Sequence, residues 1–213
     1  MRSREIEQYK ESLRLSKLQR ETLIGLLLGD AHLETQNGGG TYRLEVEYGI
    51  RQNLYVDHLY DLFREWVLTR PRHKRDDSHN NLWFQTVSHR AFRFYAHQFY
   101  VERKKRVPRL IHRFLTPRGL AYWFMDDASL KSRESKGVLF NTQGFLKADV
   151  ERLTDLLVRR FDIKATLRAQ REGWQVYVSG KSFERFRELV EPFVLSSMRY
   201  KLPAARITQM PKK

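Results

Sequence analysis

Two segments of the chain are apolar on every side of a helix and then end in acidic residues. Residues 17–29 have helical spacing, and the run L-I-G-L-L-L-G at 23–29 leaves no polar face before Asp30. The run L-A-Y-W-F-M at 120–125 precedes Asp126 and Asp127. A helix that is apolar all round is normally buried on all sides. The pattern therefore predicts two buried helices, each ending in acid.

Residues that favour helix N-termini stand before both runs. Ser16 is followed three residues later by Gln19, a spacing typical of a capping box. Thr116 is a candidate N-cap, and Pro117 suits the first helical position. We therefore expect the two helices to begin at residues 17 and 117.

Strand and helix patterns follow each buried helix in the same order. Residues 41–48 alternate between apolar and polar side chains, which predicts a half-buried strand. The first half continues with a helix at 54–67, a turn or strand at 70–75, a strand at 82–87 and a helix at 91–100. The second half has a strand at 138–143, a helix at 150–161, strands at 165–170 and 174–179 around a turn at Glu172-Gly173, and a helix at 183–193.

Matching positions in the two halves lie at a nearly constant offset. Asp30 and Asp127 are 97 positions apart, and Lys105 and Lys201 are 96 apart. The helical segments that begin V-D-H-L at 56 and V-E-R-L at 150 are 94 apart. Three separate markers agree within three residues, which indicates an internal duplication.

The duplication predicts an α+β fold of two pseudo-symmetric αββαββα halves. Neither apolar helix can be covered by its own half alone, so we expect the two to pack on each other at the centre. The first half is residues 1–110, with an N-terminal helical extension, and the second is residues 111–213. Residues 106–116 are expected to cross between them.

Charge identifies the kind of partner. Forty Lys and Arg against 25 Asp and Glu leave a net charge of +15 and a pI near 10.2. Such an excess favours a polyanion, and neutralising phosphates releases counterions from nucleic acid. The sequence has no apolar stretch of 18 or more residues, so we expect no membrane partner. Nucleic acid is the predicted partner.

Cysteine content and the N-terminal sequence limit the compartment. The chain has no cysteine, which excludes disulfides and thiolate metal sites. Residues 1–20 are charged throughout and lack the apolar core of a secretory signal. We expect an intracellular protein of a mitochondrion, a chloroplast or a prokaryotic cytoplasm, and the sequence does not choose among these.

The two acidic helix ends suggest a cation site. An Asp at a helix C-terminus lies against the negative end of the helix dipole. If the helices pack side by side, Asp30 and Asp127 also repel each other, and a divalent cation would remove that repulsion. The alternative is that both are exposed helix-ending residues without chemistry.

The strings L-I-G-L-L-L-G-D-A at 23–31 and L-A-Y-W-F-M-D-D-A at 120–128 resemble the two signature motifs of LAGLIDADG homing endonucleases. The resemblance extends from about Leu13 to Pro203 and is strongest to monomeric, two-motif, intron-encoded enzymes, through N-T-Q at 141–143 and Y-K-L-P at 200–203. Both motifs end in Ala where the name-giving motif has Gly. The resemblance implies antiparallel sheets that form DNA-binding saddles, and metal-dependent double-strand cuts at a long site during intron homing.

The resemblance also implies roles for individual residues. Asp30 and Asp127 are expected to bind Mg²⁺, for which Mn²⁺ substitutes, and to be catalytic. The main-chain carbonyls of Gly29 and Asp126 are expected to assist in binding the metal. Lys105, with Lys104 as the alternative, and Lys201 are expected to lie near the attacking water. Glu47 and Gln143 are expected to be polar residues near the metals, although they could equally be solvent-facing strand residues.

Polar positions on the predicted strands are candidates to read double-stranded DNA in the major groove. The candidates are Arg43, Glu45, Gln85, Asn141, Arg168, Gln170, Gln175 and Tyr177, with Arg72 and Lys74 nearer the DNA backbone.

Two other functions fit the same motifs. A LAGLIDADG maturase would bind intron RNA, and loss of either acid would have favoured that reading; both acids are present. A non-catalytic DNA-binding protein would not require matched Asp and Lys positions. The sequence therefore favours the endonuclease.

Overall fold

The computed structural model describes residues 3–75, 80–132 and 135–202. The described part of the first half contains four helices and three pairs of strands. In chain order they are α1 (Ser3–Ser12), α2 (Lys17–Leu28), β1 (His32–Glu34), β2 (Arg43–Gly49), α3 (Asn53–Leu62), β3 (Arg72–Arg75), β4 (Asn80–Gln85), α4 (Arg93–Phe99), β5 (Tyr100–Val101) and β6 (Lys104–Lys105).

The second half repeats the order of a central helix, two strands, a covering helix, two strands and a covering helix. Its elements are α5 (Ile111–Phe114), α6 (Pro117–Asp127), β7 (Ala128–Leu130), β8 (Val138–Phe140), α7 (Lys147–Phe161), β9 (Ala165–Gln170), β10 (Gly173–Val178) and α8 (Phe183–Val190). A six-residue 3₁₀ helix, Ser196–Lys201, follows α8. Pro203, the last residue of the Y-K-L-P segment, lies outside the described residues, as does the rest of the C-terminus.

Helices α2 and α6 pack on each other through the centre of the fold, as predicted. They approach most closely at two glycines: a Cβ atom built on Gly25 would lie 2.3 Å from the carbonyl oxygen of Gly119 and 2.8 Å from Cβ of Tyr122. Small residues at a helix contact let the two backbones come this close. The apolar side chains at 23–28 and 120–125 are all buried, so the all-round apolar pattern of these two runs reflects contacts on every face.

The caps that set the start of each central helix are also confirmed. The Ser16 hydroxyl accepts from the Gln19 main-chain N–H at 3.1 Å, and the Gln19 side chain accepts from the Ser16 N–H at 2.9 Å. The Thr116 hydroxyl accepts from the Gly119 N–H at 3.2 Å, with Pro117 at the first helical position.

Each half has one four-stranded antiparallel sheet, in the orders β1-β2-β4-β3 and β7-β8-β10-β9. Leu44, Val46 and Tyr48 on β2 are buried, and the residues between them are only partly covered, which confirms the predicted alternation. The buried faces pack against α3 in the first half and α7 in the second. The opposite faces carry the polar residues. Strands β1 and β7 directly follow the acidic helix ends, so each sheet begins beside the predicted site.

Several predicted boundaries are wrong for local reasons. The predicted helix 54–67 ends at Leu62 and is followed by a 3₁₀ turn, and strand 138–143 ends at Phe140. The Thr142 hydroxyl donates to the Trp174 carbonyl at 2.7 Å, which replaces strand pairing there. Gln170 pairs with Gly173, so the hairpin turn is Arg171-Glu172, one residue earlier than predicted.

Short elements escaped the pattern analysis. Strands β1 and β7 have three residues each, too few to show alternation. The crossing segment contains α5, and β5 and β6 form a small hairpin before it. The predicted N-terminal extension is helix α1, which is fixed by a 2.6 Å hydrogen bond from the Tyr9 hydroxyl to the Glu65 carbonyl. Among the described residues, no helix is both long and apolar enough to cross a membrane.

Replacing Gly25 with Ala should force the central helices apart, because the new methyl group has no room beside Gly119. We expect a loss of about 1–3 kcal/mol in the free energy of unfolding, measured by chemical denaturation. Gly49→Ala is the matched control, since a Cβ there meets no atom within 4 Å. Equal stability of the two variants would contradict the close approach at Gly25.

Candidate active site at the ends of the central helices

Both predicted lysines bind main-chain carbonyls at the acidic ends of the central helices. Lys105 Nζ donates to the carbonyls of Gly29 at 2.6 Å and Ala31 at 2.8 Å. Lys201 Nζ donates to the carbonyls of Met125 and Asp126, the latter at 3.2 Å. The last carbonyls of a helix have no partner within it and carry partial negative charge. Each lysine therefore stabilises the end of one helix, and Lys105 takes this position while Lys104 is exposed.

The structure brings Asp30 and Asp127 into electrostatic contact at this place. Asp30 is exposed and Asp127 is partly buried. The pKa of Asp127 is raised to about 7: burial and the negative charge of Asp30 raise it, and Lys105 and Lys201 oppose the shift. Ionisation of the Asp127 carboxyl group is therefore less favourable than in water. A bound cation would make the ionised form more favourable.

Burial at the same place shifts the pKa values of the two lysines in the opposite direction to that of Asp127. Burial lowers the pKa of Lys105 to about 8, while the carboxyl groups of Asp127, Asp126 and Asp30 oppose the shift. Burial also lowers the pKa of Lys201 against the same three acids. The predicted catalytic residues therefore form one electrostatic cluster.

Asp126 has a different place from its neighbour. Its side chain is buried, and its Oδ1 accepts a 2.6 Å hydrogen bond from the Tyr55 hydroxyl. Burial raises the pKa of Asp126 well above its ordinary value, because a charged carboxylate is costly to bury. Its Oδ2 lies so close to Gly29 that a Cβ on that glycine would be 2.4 Å away. The Asp126 side chain therefore belongs to the packing between the helices. The predicted assistance to the metal concerns only the main-chain carbonyl of Asp126.

The prediction for Glu47 and Gln143 is half right in geometry. Glu47 lies on β2, where it accepts 2.8 Å hydrogen bonds from Lys74 and Asn81. Gln143 lies in a turn, not on a strand. Glu47 lies opposite Trp83, and continuing the β8–β10 register by one residue beyond Phe140 and Val176 puts Asn141 opposite Gln175, whose side chain donates to Asn141 at 2.8 Å. By position in the sheet, Asn141 therefore corresponds to Glu47.

Most DNA-reading candidates share the polar face of a sheet. In the first sheet, register places Glu45 beside Gln85 and Arg72 beside Trp83. Trp83 is partly exposed on this face and was missed, although its position between Asn81 and Gln85 in the alternation would have indicated it. Arg43 is held by a 2.5 Å contact with Glu34. The candidates of this sheet are Arg43, Glu45, Arg72, Lys74 and Gln85.

The second sheet differs from prediction at one position. Asn141, Arg168 and Gln170 are exposed, and Tyr177 is partly exposed. Gln175 is only 7% exposed and its side chain donates to Asn141, so in this structure it presents little surface to a ligand on the sheet.

The donor set suits a hard divalent cation. Within the residues that the structure describes, no three His, Cys, Asp or Glu side chains form a cluster that could enclose a metal by themselves. Two carboxylates and nearby main-chain carbonyls offer oxygen ligands, and Mg²⁺ typically takes one or two protein carboxylates and completes its shell with phosphate oxygens and water. The residues present therefore fit a cation that is shared with a phosphate ligand.

Comparison with known proteins agrees with this geometry. A family model described as the LAGLIDADG DNA endonuclease family matches residues 20–186. The probable intron-encoded endonuclease 1 of Wickerhamomyces canadensis is 33% identical over 94% of this chain and 90% of its own length. The chain therefore belongs to the LAGLIDADG DNA endonuclease family.

A solved structure and a second relative extend the comparison. The homing endonuclease I-WcaI, bound to its DNA recognition sequence, matches 96% of this chain and 95% of its own with a TM-score of 0.90 at 30% identity. This match confirms the predicted fold class. The cytochrome b mRNA maturase bI2 of Saccharomyces cerevisiae is 28% identical over 84% of this chain, which spans about half (46%) of that protein.

The raised pKa of Asp127 predicts a pH-dependent stability in the absence of divalent metal. The folded-state pKa of about 7 lies above the ordinary 3.8, so protonation favours the folded state, and this contribution is lost as pH rises through 7. Asp127→Asn removes the titration and should melt at a higher temperature than the wild type at pH 8, with a much smaller difference at pH 5. Calorimetry in chelator measures both. The control Asp57→Asn, at an exposed position on α3, should show no such trend; a pH-independent difference for Asp127→Asn would contradict the shift.

Proposed function

We propose that the protein binds a long double-stranded DNA site and cuts both strands in a reaction that requires Mg²⁺, with Mn²⁺ as a substitute. The observation that carries the proposal is the meeting of Asp30, Asp127, Lys105 and Lys201 at the ends of two packed helices. A non-catalytic DNA-binding protein would need none of these four residues to converge. The family and the DNA-bound I-WcaI support the same activity.

Asp30 and Asp127 would hold the cation, assisted by the main-chain carbonyls of Gly29 and Asp126. A divalent cation held there would supply Lewis-acid chemistry, by polarising the scissile phosphate and lowering the pKa of a nearby water. Through such a cation the two carboxylates would hold a DNA phosphate at the ends of α2 and α6, where the carboxylates and the negative helix ends alone would repel it.

Lys105 and Lys201 each place an ammonium group within reach of the phosphate while holding the helix end in position. The lowered pKa of Lys105, about 8, leaves it mainly charged at neutral pH and able to give up a proton at modest cost. A charged lysine here offsets negative charge that develops on the phosphate and orders nearby water. Each half contributes one acid and one lysine, which matches two cuts, one in each strand.

The polar faces of the two sheets would read the DNA on either side of the cut. We also propose that residues 1–110 and 111–213 form the two functional halves, each of which would contact one part of the recognition site. With both halves in one chain, a monomer suffices. The exposed basic residues Arg72 and Arg168 occupy corresponding positions beside Trp83 and Gln175, where they would contact base edges or phosphates.

Replacing Asp30 or Asp127 with Asn should abolish double-strand cleavage, because a neutral amide binds a divalent cation poorly. We expect a rate loss of at least about a thousandfold with DNA affinity within a few-fold of wild type. Cleavage of selected target sites, compared with binding in Ca²⁺, measures both. Asp57→Asn, which removes the same charge from an exposed position, should cleave normally.

Removal of metal gives a second test on the same substrate. Cleavage should stop in excess chelator and return on adding Mg²⁺ or Mn²⁺. Undiminished cutting by either Asn variant, or by wild type in chelator, would contradict the proposed site.

A second candidate function, binding of intron RNA, is favoured by the maturase relative and by one surface. Helix α5 lies near the starts of α2 and α6, at the opposite ends of these helices from the acids. The length of α2, about 18 Å, separates the two ends. Beside it, Phe94 is 51% exposed and packs edge-on against Phe114 at 5.7 Å. Exposed aromatic rings among basic side chains suit unpaired RNA bases and phosphates. The basic residues that line the two clefts beside α5 are Lys17, Arg20, His112, Arg113, Arg152, Arg159 and Arg160.

The double substitution Phe94→Ala, Arg113→Ala should weaken binding of a mixed-sequence single-stranded RNA by about tenfold and leave DNA cleavage unchanged. Filter binding in the presence of competitor duplex DNA measures the first effect. Arg51→Ala, Leu54→Ala removes one exposed charge and one exposed apolar side chain elsewhere, and controls for both changes. Equal RNA loss in both double variants would contradict a dedicated RNA surface.

A further inference from the structure

Two residues at corresponding positions of the covering helices reach into the opposite half. Val56 on α3 and Val150 on α7 are matched by the 94-residue offset, so Tyr55 corresponds to Asp149. Both valines are fully buried, which supports the match. Tyr55 and Asp149 differ in chemistry, but each bonds to a residue directly next to a predicted catalytic residue of the other half.

Tyr55 contacts the end of the second central helix. Its hydroxyl donates to Asp126 Oδ1 at 2.6 Å, and both residues are buried. Asp126 precedes Asp127, and its main-chain carbonyl accepts from Lys201 at 3.2 Å. Tyr55 of the first half therefore fixes the segment that holds Asp127 and Lys201 in the second.

Asp149 contacts the segment that carries Lys105. Arg106, the next residue, donates to Asp149 Oδ2 at 2.5 Å, and Arg152 donates to Oδ1 at 2.8 Å and to the Val107 carbonyl at 3.1 Å. The Asp149 side chain is 1% exposed, whereas the side chains of Arg106 and Arg152 are each 31% exposed, so the carboxylate is buried beneath its two partners. A buried carboxylate with two guanidinium partners holds a fixed geometry.

The hairpin before Arg106 needs such support. Its turn residues Glu102 and Arg103 have φ angles of 48° and 63°, a left-handed conformation that costs non-glycine residues energy. On one side, the Tyr100 hydroxyl accepts from the Leu33 N–H at 3.0 Å. On the other side, the Arg106 main-chain N–H donates to the Phe99 carbonyl at 2.7 Å, and the Arg106 side chain bonds to Asp149. Contacts at the ends of the hairpin, rather than its own turn, therefore set the position of Lys105.

We propose that Tyr55 and Asp149 are positioning residues for the two halves of the reaction, each acting across the boundary between the halves. Tyr55 serves the end of α6, with Asp127 and Lys201. Asp149 serves the end of α2, where Lys105 bonds to the Gly29 carbonyl beside Asp30. This inference rests on the proposed endonuclease function. It adds that Tyr55 and Asp149 affect the cutting of different strands of the DNA.

The test uses Tyr55→Phe and Asp149→Asn in the full chain, on target DNA labelled separately in each strand. Misplacement of catalytic groups by about 1 Å can cost up to a hundredfold in rate. We expect each variant to cut one strand about tenfold to a hundredfold more slowly, with the opposite strand affected in the two variants, so that nicked DNA accumulates. DNA affinity in Ca²⁺ should stay within about twofold of wild type, because neither side chain lies on a polar sheet face.

Matched controls separate positioning from general loss of structure. Tyr60→Phe removes a hydroxyl from the same helix as Tyr55, and Asp155→Asn removes an exposed charge from the same helix as Asp149; both should cut the two strands at wild-type rates. If Asp149→Asn fails to fold, Arg106→Lys keeps the charge but loses the paired geometry and should show the same strand bias.

Equal slowing of both strands, or the same slow strand in both variants, would overturn the inference while leaving the endonuclease proposal intact. Wild-type rates on both strands in folded Tyr55→Phe and Asp149→Asn would also overturn it. Failure of the wild type and both controls to cut any DNA selected for tight binding would contradict the proposed function itself, and the inference with it.

Discussion

The close packing of α2 against α6 is the constraint on which the site depends. Gly25 and Gly119 let the two backbones approach, and this brings two helix C-termini, each followed or ended by Asp, to one place. Like charges and aligned dipoles make that arrangement unfavourable by itself. The lysines that bind the terminal carbonyls reduce the cost, while burial and the charge of Asp30 still hold the pKa of Asp127 above its ordinary value.

The two halves stabilise the ends of their central helices with lysines that are supported by different local structures. Lys105 arrives on a strained hairpin and Lys201 on a 3₁₀ helix, yet each bonds to carbonyls at the end of one central helix. Position 126 is a buried acid where the first half has Gly29, and the two are packed against each other. Duplication therefore preserved the placement of charge at the helix ends while the supporting contacts diverged.

Long patterns made much of the fold predictable from sequence. The apolar helices, their caps and the alternation on β2 were read directly, because each involves several residues with one period. Strands β1 and β7 were missed because three residues carry no period. The turn position of Gln143 and the low exposure of Gln175 were not predicted, because strand ends and cross-strand hydrogen bonds, which the sequence does not reveal, decide them. The roles of Tyr55 and Asp149 depend on contacts between positions 71 and 43 residues apart, and no local pattern records those.

The central claim is that the acids at the ends of the two packed helices share bound divalent cation with a DNA phosphate. Anomalous scattering from Mn²⁺ in crystals of the protein with its DNA target tests this most directly. The account predicts anomalous peaks within coordination distance of the carboxylates of Asp30 and Asp127 and of a backbone phosphate. Peaks confined to other residues, or to only solvent-exposed surface acids, would contradict it.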